Sequence, residues 1–308
     1  MHRAGAIAFA MAYASGFALA AEHEMARVAE GVYALRPAAE AGAEDRLLRA
    51  NVAFVVGPRG VAVIDTGISY REGLDIIAAV RRVTRRPIRF AILTHPSQEA
   101  IFGAAAFQAQ RIPVLMHRDA AALMANRCEV CLRNLKEALG ADAMAATRVV
   151  DPDRLIDGDE VIDAIGRRLR VIAPTWSSAP GALAVLDERT STLIAGNLVS
   201  IRSVPDTRDA DARGWRQALA VLAATRCRNL VASHGAIGRC SDIDSFARYF
   251  SDLETRVAAL MREGIGLAEL SDRCDMPEYA SWDRYDALHR ANASRVYLRM
   301  ERALFDVP

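Results

Sequence analysis

What this 308-residue sequence lacks narrows it first. It has almost no net charge, since 39 Lys and Arg against 38 Asp and Glu leave +1. Counterion-driven binding to nucleic acid or to an anionic membrane needs clustered cations, so neither partner is expected. The basic run Arg81-Arg82-Val83-Thr84-Arg85-Arg86 reads as the solvated end of a helix, where cations complement the dipole. There is no internal repeat, low-complexity linker or charge block, so one domain with a helical tail is expected. No Gly-x-Ser-x-Gly occurs, so there is no nucleophile elbow and little ground for a Ser-His hydrolase built on Ser97 or Ser178. No apolar run is long enough to read as a membrane span. The run at residues 4–19 follows Arg3 and ends at Ala18-Leu19-Ala20, the pattern of a cleavable signal peptide over residues 1–20. Export is expected, to the periplasm in a bacterium, with no membrane span after cleavage; the alternative is an uncleaved anchor.

What is present suits one large core. A hydrophobic content of 52% with 25% charged residues is that of an ordinary globular chain. Five cysteines follow the leader: Cys128, Cys131, Cys227, Cys240 and Cys274. In an oxidising compartment an odd count leaves one over. Cys128 and Cys131 form a Cys-x-x-Cys in a helical pattern. Leu132 stands where haem attachment would need His, and no strand leads into the pair as a thioredoxin-type site requires. A local disulfide between them is the expectation, with two buried thiols, or a metal or redox role, as alternatives.

Strands are predicted over residues 31–36, 51–56, 61–65, 88–93, 112–116, 168–172, 182–186, 191–195 and 229–232. Helices are predicted over 70–86, with Leu74, Ile77 and Val80 on one face, and over 98–110, 119–139 and 215–224. The last quarter is helical. Ile243, Phe246, Phe250, Leu253, Val257 and Leu260 recur at three- and four-residue steps, a seam that packs on the same chain or on a second copy. Strands in meander, then alternating with helices, then in meander again, fit an α/β protein with two packed sheets and helices outside.

The most informative stretch is Thr94-His95-Pro96-Ser97-Gln98-Glu99-Ala100, at the end of a buried strand and the start of a helix. Other pieces stand in order around it: Asp65-Thr66-Gly67, Pro180-Gly181, Ala195-Gly196-Asn197 and Ser233-His234-Gly235. Together they resemble the metallo-β-lactamase superfamily across roughly residues 30 to 240. The resemblance implies an αββα sandwich over residues 28–240, with residues 241–308 as C-terminal helices packed on it. A narrower resemblance is to exported zinc metallohydrolases of quinoprotein relay systems, near the sulfur-oxidation-associated branch. Its pieces are Phe102-Gly103-Ala104-Ala105-Ala106-Phe107, Leu186-Asp187-Glu188-Arg189-Thr190-Ser191-Thr192-Leu193, Arg213-Gly214-Trp215, Arg248-Tyr249 and His289-Arg290-Ala291-Asn292.

The superfamily motif His-x-His-x-Asp-His holds two zinc ions. The resemblance implies that one zinc would fall to His95, Ser97 and Ser178, and the other to Glu99, Ala100 and His234, with Asn197 at the bridging-Asp position. A catalytic zinc normally takes three imidazole, thiolate or carboxylate ligands. On this count Ser97, Ala100, Ser178 and Asn197 are lost ligand positions, His95, Glu99 and His234 a residual set, and no residue is assigned to catalysis. Asp65 orients the metal motif in related folds; as an ordinary residue it would cap a turn. Trp176 is a candidate plug for the vacated volume, against a Trp unrelated to the site. His23, His117 and His289 fall at no ligand position.

The expected function is therefore that of a degenerate member with no cofactor, an accessory or binding protein of a periplasmic quinoprotein dehydrogenase system. The alternative is a hydrolase with one altered zinc site from His95, Glu99 and His234. A scaffold working through its C-terminal helices is a third reading.

Overall fold

The computed structural model describes residues 23–38 and 48–305. The leader expected at residues 1–20 lies outside them. Two sheets stack face to face. The first runs β1 (His23–Ala29), β2 (Val32–Pro37), β3 (Val52–Gly57), β4 (Gly60–Ile64), β5 (Ile88–Leu93), β6 (Val114–His117) and β7 (Arg154–Ile156), in that spatial order. It is antiparallel as far as β4 and parallel beyond. The second sheet is ordered β12 (Asn229–His234), β11 (Thr192–Ser200), β10 (Ala184–Asp187), β9 (Leu169–Ile172) and β8 (Glu160–Ile162).

Side-chain alternation explains the layers. Along β4 every residue is buried, but Val61 and Val63 join the outer cluster while Ala62 and Ile64 face the second sheet. A strand covered on both faces reads as a continuous apolar run for this reason. The inner layer is completed by Ile92, Leu115, Val171, Val185, Ile194 and Val231. Outside the first sheet lie α1 (Tyr70–Val83), α2 (Gln98–Ile101), α3 (Ala104–Ala109) and α4 (Arg118–Leu139). Outside the second lie α5 (Ala212–Ala224) and α6 (Asp242–Arg262), through Trp215, Leu219, Ile243 and Phe246. The αββα sandwich with C-terminal helices is thus present.

The expected seam of α6 is used within the chain. Its first half packs on the second sheet, and Leu253, Val257 and Leu260 pack with α7 (Leu267–Arg273) and α8 (Tyr285–Phe305). Arg81 and Arg82 do occupy the last turn of α1, in solvent.

Several local expectations need correction. The helix expected over 98–110 is two short helices broken at Gly103. A β-carbon there would lie 1.8 Å from the Thr66 carbonyl oxygen, so the glycine lets the loop after β4 pack directly on the backbone. Leu74 is 38% exposed and is not on the buried face of α1, where Ile76, Ile77 and Val80 sit. The strand expected to end at 195 runs on to Ser200, with register shifts on both sides of Gly196. The expected Cys128–Cys131 disulfide is absent: both are thiols, and the bridge joins Cys227 to Cys240. The helical Cys pair is held instead by separate backbone acceptors, Cys128 Sγ facing the Pro96 carbonyl after β5 and Cys131 Sγ that of Arg127 one turn back in its own helix.

One ion pair ties the sheets together. Arg167 and Asp187, 4% and 0% exposed, meet in two parallel hydrogen bonds of 2.5 and 2.6 Å. The same guanidinium donates to the Glu30 carbonyl, at the turn between β1 and β2.

Candidate functional site

The sheets deliver the motif residues to one edge of the sandwich. Asp65 follows β4 with φ 65°, a left-handed conformation that turns its carboxylate toward the end of β5. There its Oδ1 accepts from the Thr94 amide at 2.8 Å, and the Thr94 hydroxyl lies 3.0 and 2.9 Å from its two oxygens. Thr94 Oγ1 is also 2.7 Å from His95 Nδ1. While Asp65 is ionised it can only accept, so the Thr94 proton belongs to it and His95 Nδ1 must be the donor to Thr94. That leaves Nε2 of the fully buried His95 turned toward Glu99. Burial raises Asp65 above the usual carboxylate range, and His95 and the Thr94 hydrogen bonds pull it back.

His234 ends β12, and Gly235 behind it is required to be glycine. Its φ is 94°, and a β-carbon would lie 1.9 Å from the Ile201 carbonyl oxygen. Asn51, at the entry to β3, donates its side-chain amide to the carbonyls of Ala232 and Gly235 at 2.8 and 2.9 Å. Its own backbone N–H donates to Ser233. The first sheet thereby clamps the turn that carries His234.

The two imidazoles converge on one oxygen. His95 Nε2 and His234 Nε2 each lie 3.7 Å from Glu99 Oε1. These are ion-pair separations, beyond hydrogen-bond reach, and neither nitrogen has another partner. Burial opposes ionisation of Glu99 most strongly, yet His234 and His95 together outweigh it and hold the carboxyl well below its ordinary value. His234 is lowered, first by burial and then by the Arg284 guanidinium, against the pull of Glu99. At neutral pH the trio therefore carries an ionised Glu99 beside a neutral His234.

Ser97, Ser178 and Asn197 line the same cleft, of about 180 Å³. Ser178 Oγ donates to Asn197 Oδ1 at 2.7 Å. Ala100 is buried in the first sheet's outer cluster, where its carbonyl accepts from Thr66. The structure thus brings together His95, Ser97, Glu99, Ser178, Asn197 and His234, with Asp65 behind them. Trp176 does not plug the cleft: its ring is 55% exposed, held outside by its indole N–H donating to the Asp209 carbonyl. Of the other histidines, His23 pairs with Glu72, His117 caps α4 and His289 bonds the Cys274 carbonyl.

The sequence did not point to Arg127, Arg208 or Arg284, all of which border the cleft. Arg127 is locked to Asp209 by two hydrogen bonds of 2.6 and 2.7 Å, and Arg208 to Asp206 at 2.9 Å. The Arg127–Asp209 pair joins residues 82 apart in the chain and has no local signature. Cys131 also borders the cleft; the Cys128 thiol, buried behind it, is pushed up to about 12, by burial first and then by Cys131. A thiol so high offers no thiolate nucleophile at neutral pH.

Residues 45–234 match the family model of the metallo-beta-lactamase superfamily. The chain belongs to the metallo-beta-lactamase superfamily. Among solved structures, this superfamily member is similar to a metallo-beta-lactamase from Pontibacter korlensis at 20% identity and a TM-score of 0.59, over 72% of this chain and 95% of that one. It is also similar to the metallo-beta-lactamase FIM-1 from Pseudomonas aeruginosa in its mono-zinc form, at 16% identity and a TM-score of 0.58, over 73% and 93% of the two chains. A double mutant of the sec-alkyl sulfatase PisA1 aligns at 16% identity with a TM-score of 0.69, over 90% of this chain and 50% of that one. At these identities the likeness is one of fold. No curated protein matches. Among the described residues, no group of three or more His, Cys, Asp and Glu is arranged to hold a metal ion.

Proposed function

We propose that this chain is a metallo-β-lactamase-fold protein whose donor set for a zinc pair has degenerated, and that it works as a periplasmic accessory or binding protein of a quinoprotein-linked oxidation system. The observation that carries this reading is the Ser178–Asn197 hydrogen bond. Two positions that the superfamily motif assigns to metal ligands hold neutral side chains that satisfy each other. Removing two dications from a cavity of carboxylates and imidazoles would strand unpaired polar groups, a large cost when buried. Ser97, Ala100, Ser178 and Asn197 avoid it. The residues present do not fit a metal pair, because Glu99 is the one carboxylate facing the two orphaned imidazole nitrogens.

The superfamily domain is proposed to span residues 28–240, with 241–308 packed on it. The Cys227–Cys240 disulfide suits an oxidising compartment. Among the described residues no helix is long and apolar enough to cross a membrane. The quinoprotein link rests on the narrower sequence resemblance. Two of its pieces have structural work here: Asn292 donates to the Pro205 carbonyl at 2.8 Å, and His289 Nδ1 meets the Tyr249 hydroxyl at 3.1 Å, fastening α8 to the cleft wall.

One observation favours a second reading, an altered single-metal hydrolase. Two imidazole nitrogens and a carboxylate oxygen do converge. Donors sharing one tetrahedral zinc stand about 3.3 Å apart, against the 3.7 Å edges here, so the fit is loose. Assays with nitrocefin, thioesters and lactones separate the readings. The leading one expects no turnover and co-purification with a periplasmic quinoprotein dehydrogenase; turnover abolished by His234→Ala would establish the second.

A further inference from the structure

A second cavity, of about 430 Å³, lies on the other side of His234 from the Glu99 cleft. Its walls hold polar atoms that the fold leaves unsatisfied. Ser203 and Ser233 are each 1% exposed, and neither hydroxyl has a hydrogen-bond partner. Arg284 stands between the two cavities with its Nε buried and unpartnered. Among the described residues Arg284 makes no ion pair, unlike Arg127 and Arg208 across the cleft. It is also held at φ 66°, a strained conformation for a residue with a side chain. The strain is imposed from the preceding residue. Asp283 N donates to the Arg202 carbonyl at 2.9 Å, and the Asp283 carbonyl accepts from Val204 N at 2.9 Å, which fixes the backbone just before Arg284.

We propose that this cavity is a binding site for a small organic carboxylate, with the Arg284 guanidinium as its ion partner and the Ser203 and Ser233 hydroxyls as its neutral donors. A planar guanidinium matches a carboxylate through two parallel hydrogen bonds, and a buried donor with no acceptor is the group a ligand oxygen would relieve. Arg36 and Arg49 border the same space, Arg49 already 3.4 Å from Glu72. The carboxylates on the wall, Asp283 and Asp286, are exposed and bonded to none of these arginines. Trp282 and Tyr285 supply an apolar face for the hydrocarbon part of the ligand. A cavity of this volume suits an organic molecule better than a bare inorganic ion. Occupancy of the cavity requires no metal in the Glu99 cleft, so this site stands apart from the function proposed above.

The test is calorimetric titration of the EDTA-treated full chain with benzoate and with its neutral isostere benzamide. Saturable benzoate binding is expected, at least tenfold tighter than benzamide. Arg284→Gln should weaken benzoate at least tenfold, and the double variant Ser203→Ala with Ser233→Ala severalfold. Arg208→Gln, on the wall of the other cleft, should leave it unchanged. Equal affinity for benzamide, no saturable benzoate heat from folded protein, or undiminished binding by Arg284→Gln overturns the proposal. If Arg284→Gln fails to fold by circular dichroism, the benzoate–benzamide contrast and the serine double variant decide.

Discussion

The site turns on a chain of three buried side chains, Asp65, Thr94 and His95, and the partly buried Glu99, met at its far end by His234. Each link fixes the next, so the charge on one residue sets the proton affinity of its neighbour. Glu99 raises the proton affinity of His234 while burial and Arg284 lower it. Glu99→Gln should therefore drop the His234 pKa further, read from imidazole shifts in an NMR titration; an unchanged or higher value contradicts the contact. The same shifts set a pH dependence. An unfolded imidazole protonates near 6.5, whereas folded His234 resists, so the unfolded state binds more protons below that value and stability should fall as pH drops through it. Glu99 is held well below its ordinary value, so its contribution is present above about 4.5 and is lost only as pH falls through its lower folded value. Urea midpoints between pH 8 and pH 4 should decline accordingly, and a flat profile would refute the assignment. Elsewhere, Arg167→Ala would strand the buried Asp187 carboxylate, at a cost of about 3–5 kcal/mol in urea unfolding.

At the scale of elements, the long buried strands and long amphipathic helices were legible because their apolar periodicity is strong. Strand β5 and helix α4 stand within a residue of the expected bounds. The three-residue strands β7 and β8 fall in a polar stretch too short to show alternation, and the edge strand β1 has no fully buried residue to mark a face, so none was legible. The break at Gly103 was hidden for another reason. Residues 98–110 have helical character throughout, and only contact with the Thr66 carbonyl, far away in sequence, interrupts them. Cysteine pairing was misread because spacing favours the local pair, while connectivity depends on which thiols the fold brings together. The Cys227–Cys240 bridge joins the segment just before β12 to the segment just before α6, closing a loop with a sequence separation of 13 that contains β12. Replacing both with serine should cost about 2–4 kcal/mol in chemical denaturation; no change in midpoint would argue that the thiols are free in solution.

The whole molecule keeps the sandwich of its superfamily, and the function proposed above holds that the edge of that sandwich presents an altered donor set. The frame was legible because ordered turn motifs such as Asp65-Thr66-Gly67 and Ser233-His234-Gly235 mark strand ends that the structure brings to one edge. The arginines around the cleft were not, since Arg284 reaches His234 from the C-terminal helices, fifty residues on in the chain. Those helices are part of the packed body: Phe246 belongs to the core of the second sheet, and Phe250 packs against Trp215. Deleting the chain after Ile243 would thus expose that core as well as remove Arg284. The central claim, that this edge no longer grips a pair of divalent ions, is tested most directly by elemental analysis of the native protein purified without chelator. The account predicts well under one zinc or other transition metal per chain; two tightly retained metals per chain would contradict it.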